Sequence, residues 1–216
     1  MWKFKPDEKE AVPDASIHHN GKYINKYSVI TPDILQPYTL IRIFPTLSEL
    51  YTKTPHWITK SYIGRLLYVY INGGIYCDVD CFIRKEFDTK HAVILFTEHV
   101  CASVDDLGPR ECKDPDNVVR IANYCFGSGI RLHPFLKEVI DECLQRLYQL
   151  LIVDNLSELT EQDMLWVCGP DVITTIYHKK KHLYDDVHLY DTSYLDHKCY
   201  GSWRSVKNAE HVGLNG

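Results

Sequence analysis

The chain has 216 residues, 45% of them apolar, and a formal net charge of −5. That length and apolar content suit one globular domain with a real core. The acidic balance, with no basic face, excludes binding to a nucleic-acid backbone as the main role. No apolar run approaches the ~20 residues that span a bilayer, and the charged opening MWKFKPDEKEAVPD is not a signal peptide, so the expectation is a soluble, cytoplasmic protein.

In chain order, Ala15–His19 is a short candidate first strand and Tyr38–Phe44 (YTLIRIF) a second, β-branched and aromatic. Trp57–Asn72 has helical spacing, with Ile58, Tyr62, Ile63, Leu66, Leu67, Val69 and Tyr70 on one broad face. Gly73-Gly74 ends it, because glycine accepts the positive φ of a helix C-terminus. Ile75–Ile83 (IYCDVDCFI) reads as one strand, and Ala92–Thr97 as a buried strand from its continuous apolar run. Glu98–Asn117 is a long polar loop, of a length that in a compact domain is often functional. Val118–Phe126 returns to strand character, and His133–Ile152 is the clearest helix. Thr160 caps a short helix over Glu161–Val167, Gly169-Pro170 opens another to about His178, and His188–Tyr190 is a last strand.

The chemistry concentrates in Asp78-Val79-Asp80. Side chains alternate along a strand, so a single strand here turns Cys77, Val79 and Cys81 one way and the two carboxylates the other. Two like charges in so apolar a run are costly unless paired or shared with a cation. Hard oxygen ligands suit Mn²⁺ or Mg²⁺, the metals that bridge diphosphate oxygens. Asp114-Pro115-Asp116 is a second acidic triplet, but it lies in a polar loop. The eight cysteines are scattered without a Cys-x-x-Cys, so a zinc site of the usual spacing has no support, and reduced, mostly buried thiols are expected.

Ser61-Tyr62-Ile63-Gly64-Arg65, an apolar helix, then Gly73-Gly74-Ile75-Tyr76-Cys77-Asp78-Val79-Asp80 resembles the DXD region of glycosyltransferase family 32. That family includes the yeast initiating mannosyltransferase and the sugar-transferring domains of large clostridial toxins. Its pattern is Ser-Asp-x-x-Arg, a helix, and Gly-Gly-x-Tyr-x-Asp-x-Asp. Weaker likeness extends to Val12-Pro13 through His18-His19, to Cys125–Ile130 with His133-Pro134-Phe135, to Glu161-Gln162-Asp163, to Cys168-Gly169-Pro170, and to His197 through Gly201-Ser202-Trp203. The shortness of the chain is similar to that of small virus-encoded glycosyltransferases such as those of chlorella viruses, for which the compartment would be the host cytoplasm.

The resemblance implies an α/β fold: a single GT-A type nucleotide-sugar-binding domain over residues 1–216, whole or cut from a longer protein, with a mixed, mostly parallel sheet flanked by helices. It implies a metal-dependent, retaining transfer from a nucleotide-sugar, a UDP-sugar first of all, to a glycan or glycoprotein acceptor. By resemblance the metal ligands are Asp78, Asp80 and His197. Asp78, Ser128, Gly129, Ser202, Trp203 and His18 would contact the nucleotide-sugar, and Gln162, Asp163 and Arg65 would act at the reacting centre. The family's Asp in Ser-Asp-x-x-Arg is Tyr62 here, which makes a donor other than plain glucose or mannose the expectation. A metal-dependent phosphohydrolase, a sugar-binding module without turnover and a plain scaffold domain are the alternatives.

Overall fold

The computed structural model describes residues 14–24, 45, 57–153 and 159–198. The expected strand Tyr38–Phe44 and the site candidates Ser202 and Trp203 lie outside them. The first described element is helix α1 (Asp14–Asn20), where the sequence suggests a strand, and its inner side chains, His19 and Asn20, bind the backbone of a strand far along the chain. Those tertiary contacts override the weak local preference.

Helix α2 (Trp57–Asn72) has the expected limits. Gly73 and Gly74 follow it with φ of 70° and 87°. The Gly73 N–H still donates to the Val69 carbonyl at 2.8 Å, and a Cβ on Gly73 would stand 3.1 Å from the Ser128 carbonyl oxygen. Glycine is therefore needed both for the turn and for the close approach of the next strand.

The predicted strand over Ile75–Ile83 is two strands, β1 (Gly74–Cys77) and β2 (Cys81–Ile83), separated by a turn in which the Cys81 N–H donates to the Asp78 carbonyl at 3.1 Å. The two belong to different sheets. Strand β3 (Val93–Val100) runs past the expected end of its apolar run. The predicted loop that follows contains short 3₁₀ turns at Val104–Asp106 and Pro115–Val118. The predicted strand Val118–Phe126 breaks into β4 (Val119–Ile121) and β5 (Cys125–Ser128). Helices α3 (Pro134–Val153), α4 (Glu161–Cys168) and α5 (Pro170–Lys180) follow, then β6 (Val187–Tyr190) and β7 (Leu195–His197).

The main sheet has the order β1-β5-β3-β4, with β6 also paired to β3. Among the described residues only the β3–β6 pair is parallel; β1–β5, β3–β5 and β3–β4 are antiparallel. The expectation of a mostly parallel sheet is corrected by these pairings: 119–128 doubles back along β3 without a helical crossover, which only antiparallel neighbours permit. The fold is α/β, with a mixed sheet flanked by helices. A second, two-stranded sheet joins β2 to β7 in antiparallel register, Cys81 opposite His197 and Ile83 opposite Leu195.

Strand β3 sets the layering. Val93 and Leu95 join the core under α2, α3, α4 and α5, while Ile94 and Phe96 join a second core with Cys81, Ile83, Tyr190 and Leu195. Alternate residues thus feed opposite faces, and both are dry, which explains an unbroken apolar run. Arg120 on β4 is buried and ion-paired to the equally buried Asp171 in the first turn of α5, fastening the sheet to the helical layer. Among the described residues no helix is long and apolar enough to cross a membrane.

Candidate metal and donor site

The site forms where β1 and β5 part. Beyond Cys77 and Cys125 the ladder ends, and the break between β4 and β5 leaves the carbonyls of Asn123 and Tyr124 without strand partners of the main sheet. Asp78 N–H takes the Tyr124 carbonyl at 2.7 Å, and Arg65 Nη1 takes the Asn123 carbonyl at 2.9 Å. The acidic residues thus lie in a turn rather than on a strand face, so alternation is not what brings them together. The turn does so, and β7 adds the third group: one ligand atom from each of Asp78, Asp80 and His197 lies within 4.8 Å of the others.

Asp78 is held from beneath. Its carboxylate accepts from the Tyr76 hydroxyl and from Arg65 Nη1 at 3.3 Å, and Arg65 Nη2 stands 3.3 Å from its other oxygen. The Arg65 side chain is 3% exposed and that of Asp78 24%, so the pair has a dry end and a wet end. The guanidinium lies over the rings of Tyr62 and Tyr76, 4.8 and 4.6 Å from their centroids, and reaches Ser61 Oγ at 3.2 Å. Burial alone would make Arg65 easier to deprotonate, but Asp78 reverses this and its pKa is raised. Burial likewise raises the pKa of Tyr62 and Tyr76, so both remain neutral phenols. Tyr62 therefore packs inward against Arg65, and a residue at this position of α2 shapes the site from below.

Asp80 pairs with His197, Oδ1 to Nε2 at 3.2 Å. The Lys198 N–H donates to the Asp80 carbonyl at 3.0 Å, which fixes β7 against the turn, and Tyr124 stacks on the His197 ring at 3.9 Å. Burial disfavours the imidazolium, but the Asp80 carboxylate, then Asp78 and Glu98, outweigh it and raise the His197 pKa. Two carboxylates and an imidazole at this spacing fit a divalent cation of the Mn²⁺ or Mg²⁺ type.

Ser128 and Gly129 sit at the opposite end of the β1–β5 ladder, where Gly74 rather than Cys77 faces β5. Three strand residues, roughly 10 Å, separate the two ends. The buried Ser128 hydroxyl is engaged by the Ala92 and Ile130 carbonyls, each at 2.6 Å, and a Cβ on Gly129 would stand 2.7 Å from the His91 carbonyl oxygen. Both residues serve backbone closure there. His18 lies on the exposed side of α1, while His19 Nε2 meets the Ile83 carbonyl at 2.7 Å. Asp163 is the third helical residue of a capping box: its Oδ2 accepts from Thr160 N–H at 2.8 Å and from Thr160 Oγ1 at 2.6 Å. Gln162 is exposed beside it. These placements assign Asp163 to helix initiation.

Sequence reasoning missed three neighbours of the site. Tyr124 lacked any motif, and Tyr76 appears there only as part of the Gly-Gly-x-Tyr pattern. Glu98, expected in a loop, lies within β3 just past its buried run and pairs with Arg120 at 3.1 Å. Burial raises its carboxyl pKa, opposed by Arg120 and His99. The signal available was a charged residue directly after a fully buried apolar run.

Residues 10–100 match the family described as "Glycosyltransferase sugar-binding region containing DXD motif". The matched segment contains Arg65, Asp78 and Asp80 and stops before β4. Among solved structures, one titled "PaToxG Glycosyltransferase" is similar at 18% identity and a TM-score of 0.45, over 72% of this chain and 48% of that one. The chain thus spans about half the length of that structure. No curated protein matches it.

Proposed function

We propose that the chain is a metal-dependent glycosyltransferase that binds a nucleotide-sugar, a UDP-sugar first of all, at the Asp78–Asp80 turn and transfers its sugar to a glycan or glycoprotein acceptor. The observation that carries this reading is the convergence of Asp78, Asp80 and His197: the two carboxylates come from the segment 10–100 that is similar to a DXD sugar-binding region, and the histidine comes from β7 beyond it. The three residues would hold Mn²⁺ or Mg²⁺. Bound there, the cation supplies charge neutralisation for the diphosphate and the leaving nucleotide.

The chain's own groups then have distinct tasks. Asp80 and His197, paired with each other in the metal-free chain, would each give one ligand atom. Asp78 adds a third donor whose orientation is set by Arg65 and Tyr76, so Arg65 is a positioning residue. Tyr62, turned into the core against Arg65, offers no carboxylate to donor hydroxyls, which supports a donor other than plain glucose. Gln162 is the exposed polar residue of α4 that would reach a donor. Transfer with retention by front-face displacement is the course adopted, and an inverted linkage in the NMR spectrum of the product would remove it.

The test is calorimetric titration of UDP into the protein with and without Mn²⁺. Binding that requires Mn²⁺ and disappears in Asp80→Ala supports the reading and leads to a donor screen. No UDP binding with Mn²⁺ present overturns it. Preferred turnover of UDP-glucose would leave the site and reject the donor inference.

A further inference from the structure

The acidic turn has a second side. The Sγ atoms of Cys77, Cys81 and Cys125 lie within 4.8 Å of one another. Cys77 and Cys81 bracket the turn, and Cys125 faces Cys77 across the β1–β5 ladder. This pair is of the closely spaced kind, because the neighbouring Asp78 N–H donates to the Tyr124 carbonyl. All three are free thiols, Cys81 and Cys125 fully buried and Cys77 half-buried.

A fourth side chain is aimed at them. Asn20 on α1 points Nδ2 at the Cys77 sulfur at 3.8 Å. The same amide is clamped to β2 at both ends: Nδ2 donates to the Cys81 carbonyl and Oδ1 accepts from the Ile83 N–H, each at 2.9 Å. An oriented N–H beside a sulfur is the outer contact that steadies a metal-bound thiolate. The other buried neighbours, Cys143 and Cys168, bring only two thiols together.

We propose that Cys77, Cys81 and Cys125 form a second metal site, for a thiophilic d¹⁰ cation, Zn²⁺ or Cu⁺, separate from the Asp78–Asp80–His197 site. Thiolates select such ions over Mn²⁺ and Mg²⁺. Each thiol loses its proton as its sulfur binds. Zn²⁺ would complete a tetrahedron on the half-buried Cys77 side, whereas Cu⁺ is satisfied by three sulfurs. Either ion ties β1, β2 and β5 together behind the turn and so fixes the backbone that presents the acidic pair. The site does not depend on the proposed transferase reaction.

The full reduced chain is titrated anaerobically with Zn²⁺, with Cu⁺ and with Cd²⁺ as the spectroscopic reporter. The expected result is one equivalent of thiolate-to-metal charge-transfer absorption with Cd²⁺, kept in Asp80→Ala and in Cys143→Ser and lost in Cys125→Ser. Competition of Zn²⁺ or Cu⁺ against Cd²⁺ decides which ion the three sulfurs hold. Because Cys125→Ser alters a buried position, Cys77→Ser is the second variant, and alkylation of wild-type Cys77 is read by mass spectrometry. Bound Zn²⁺ or Cu⁺ should slow that alkylation about tenfold or more, since the thiolate is both nucleophile and ligand. Charge transfer unchanged in both cysteine variants overturns the proposal, as does a disulfide among the three in the freshly isolated, metal-free chain.

Discussion

The two ends of the β1–β5 ladder are built from the same pair of strands and do opposite things. At one end Gly74 faces Ser128, and Gly73, Ser128 and Gly129 close on carbonyls at van der Waals or hydrogen-bond distance. At the other end Cys77 faces Cys125, the partners diverge, and the turn beyond carries two carboxylates toward His197 and three sulfurs behind it. A sheet edge with its backbone satisfied has no groups to offer a ligand. A ladder that opens leaves carbonyls and side chains to be satisfied by something else, and here Arg65, Tyr76, Asn20 and His197 supply most of it.

The sharpest way to break this comparison is at Asp80. Asp80→Ala removes one ligand and leaves His197 without its carboxylate. Mn²⁺-dependent UDP binding should vanish in calorimetry, and turnover of any accepted donor should fall roughly a hundredfold or more, the range for losing metal assistance. Mn²⁺ affinity unchanged in the variant would show that the open end is not the metal end.

Arg65→Ala tests how far the open end depends on support from below. It leaves Asp78 with the Tyr76 hydroxyl and without its cation. Breaking a buried pair costs about 3–5 kcal/mol, and since Asp78 keeps contact with water a loss of about 2–3 kcal/mol is expected in denaturant unfolding. Mn²⁺ affinity should weaken as Asp78 is no longer oriented. Arg65→Lys should recover charge but not the fork that joins Asp78 to the Asn123 carbonyl, and so should restore stability only in part.

How much of this was legible depended on whether the signal was periodic or tertiary. Trp57–Asn72 could be read to the residue, because seven apolar positions share a face and two glycines follow with positive φ. The Thr160 cap could also be read, since Thr-x-x-Asp states its own hydrogen bonds. Asp78 and Asp80 could be read as a pair, but the expected reason, strand alternation, is replaced by a turn between two sheets. IYCDVDCFI has strand composition throughout, and the break at 78–80 is imposed by the Tyr124 carbonyl, the Arg65 guanidinium and β7, none of which is local. The three-sulfur cluster was hidden for the same reason: Cys125 is 44 or more residues from its partners in the chain and meets them only through strand register. Ala15–His19 misled because His19 and the residue after it, Asn20, have partners over 60 residues away.

His197 gives the open end a pH signature. In the metal-free chain its raised pKa reflects pairing with Asp80. The stability from that pair is therefore complete below the unfolded histidine value of about 6.5 and is lost as pH rises through the higher folded value. Melting curves of wild type and His197→Asn should differ most at low pH and converge as the pH climbs. Mn²⁺ binding runs the other way, since the metal needs a neutral imidazole: affinity should fall as pH drops through the folded value, with proton release on binding. A Mn²⁺ affinity flat across that range would separate His197 from the metal.

The smallest effect belongs to Ser128→Ala. The hydroxyl lies between two carbonyls at the closed end, so its loss leaves buried acceptors short of a donor, at a cost of about 1–2 kcal/mol. For a chain of this size that corresponds to a melting shift of about 2–4 °C per kcal/mol. Mn²⁺ and UDP affinities should be those of the wild type, because three residues of rigid ladder lie between Ser128 and the acidic turn. A variant that melts normally but binds UDP poorly would reverse the assignment, placing the donor across the closed end of the ladder, and would make Gly129 the next residue to change.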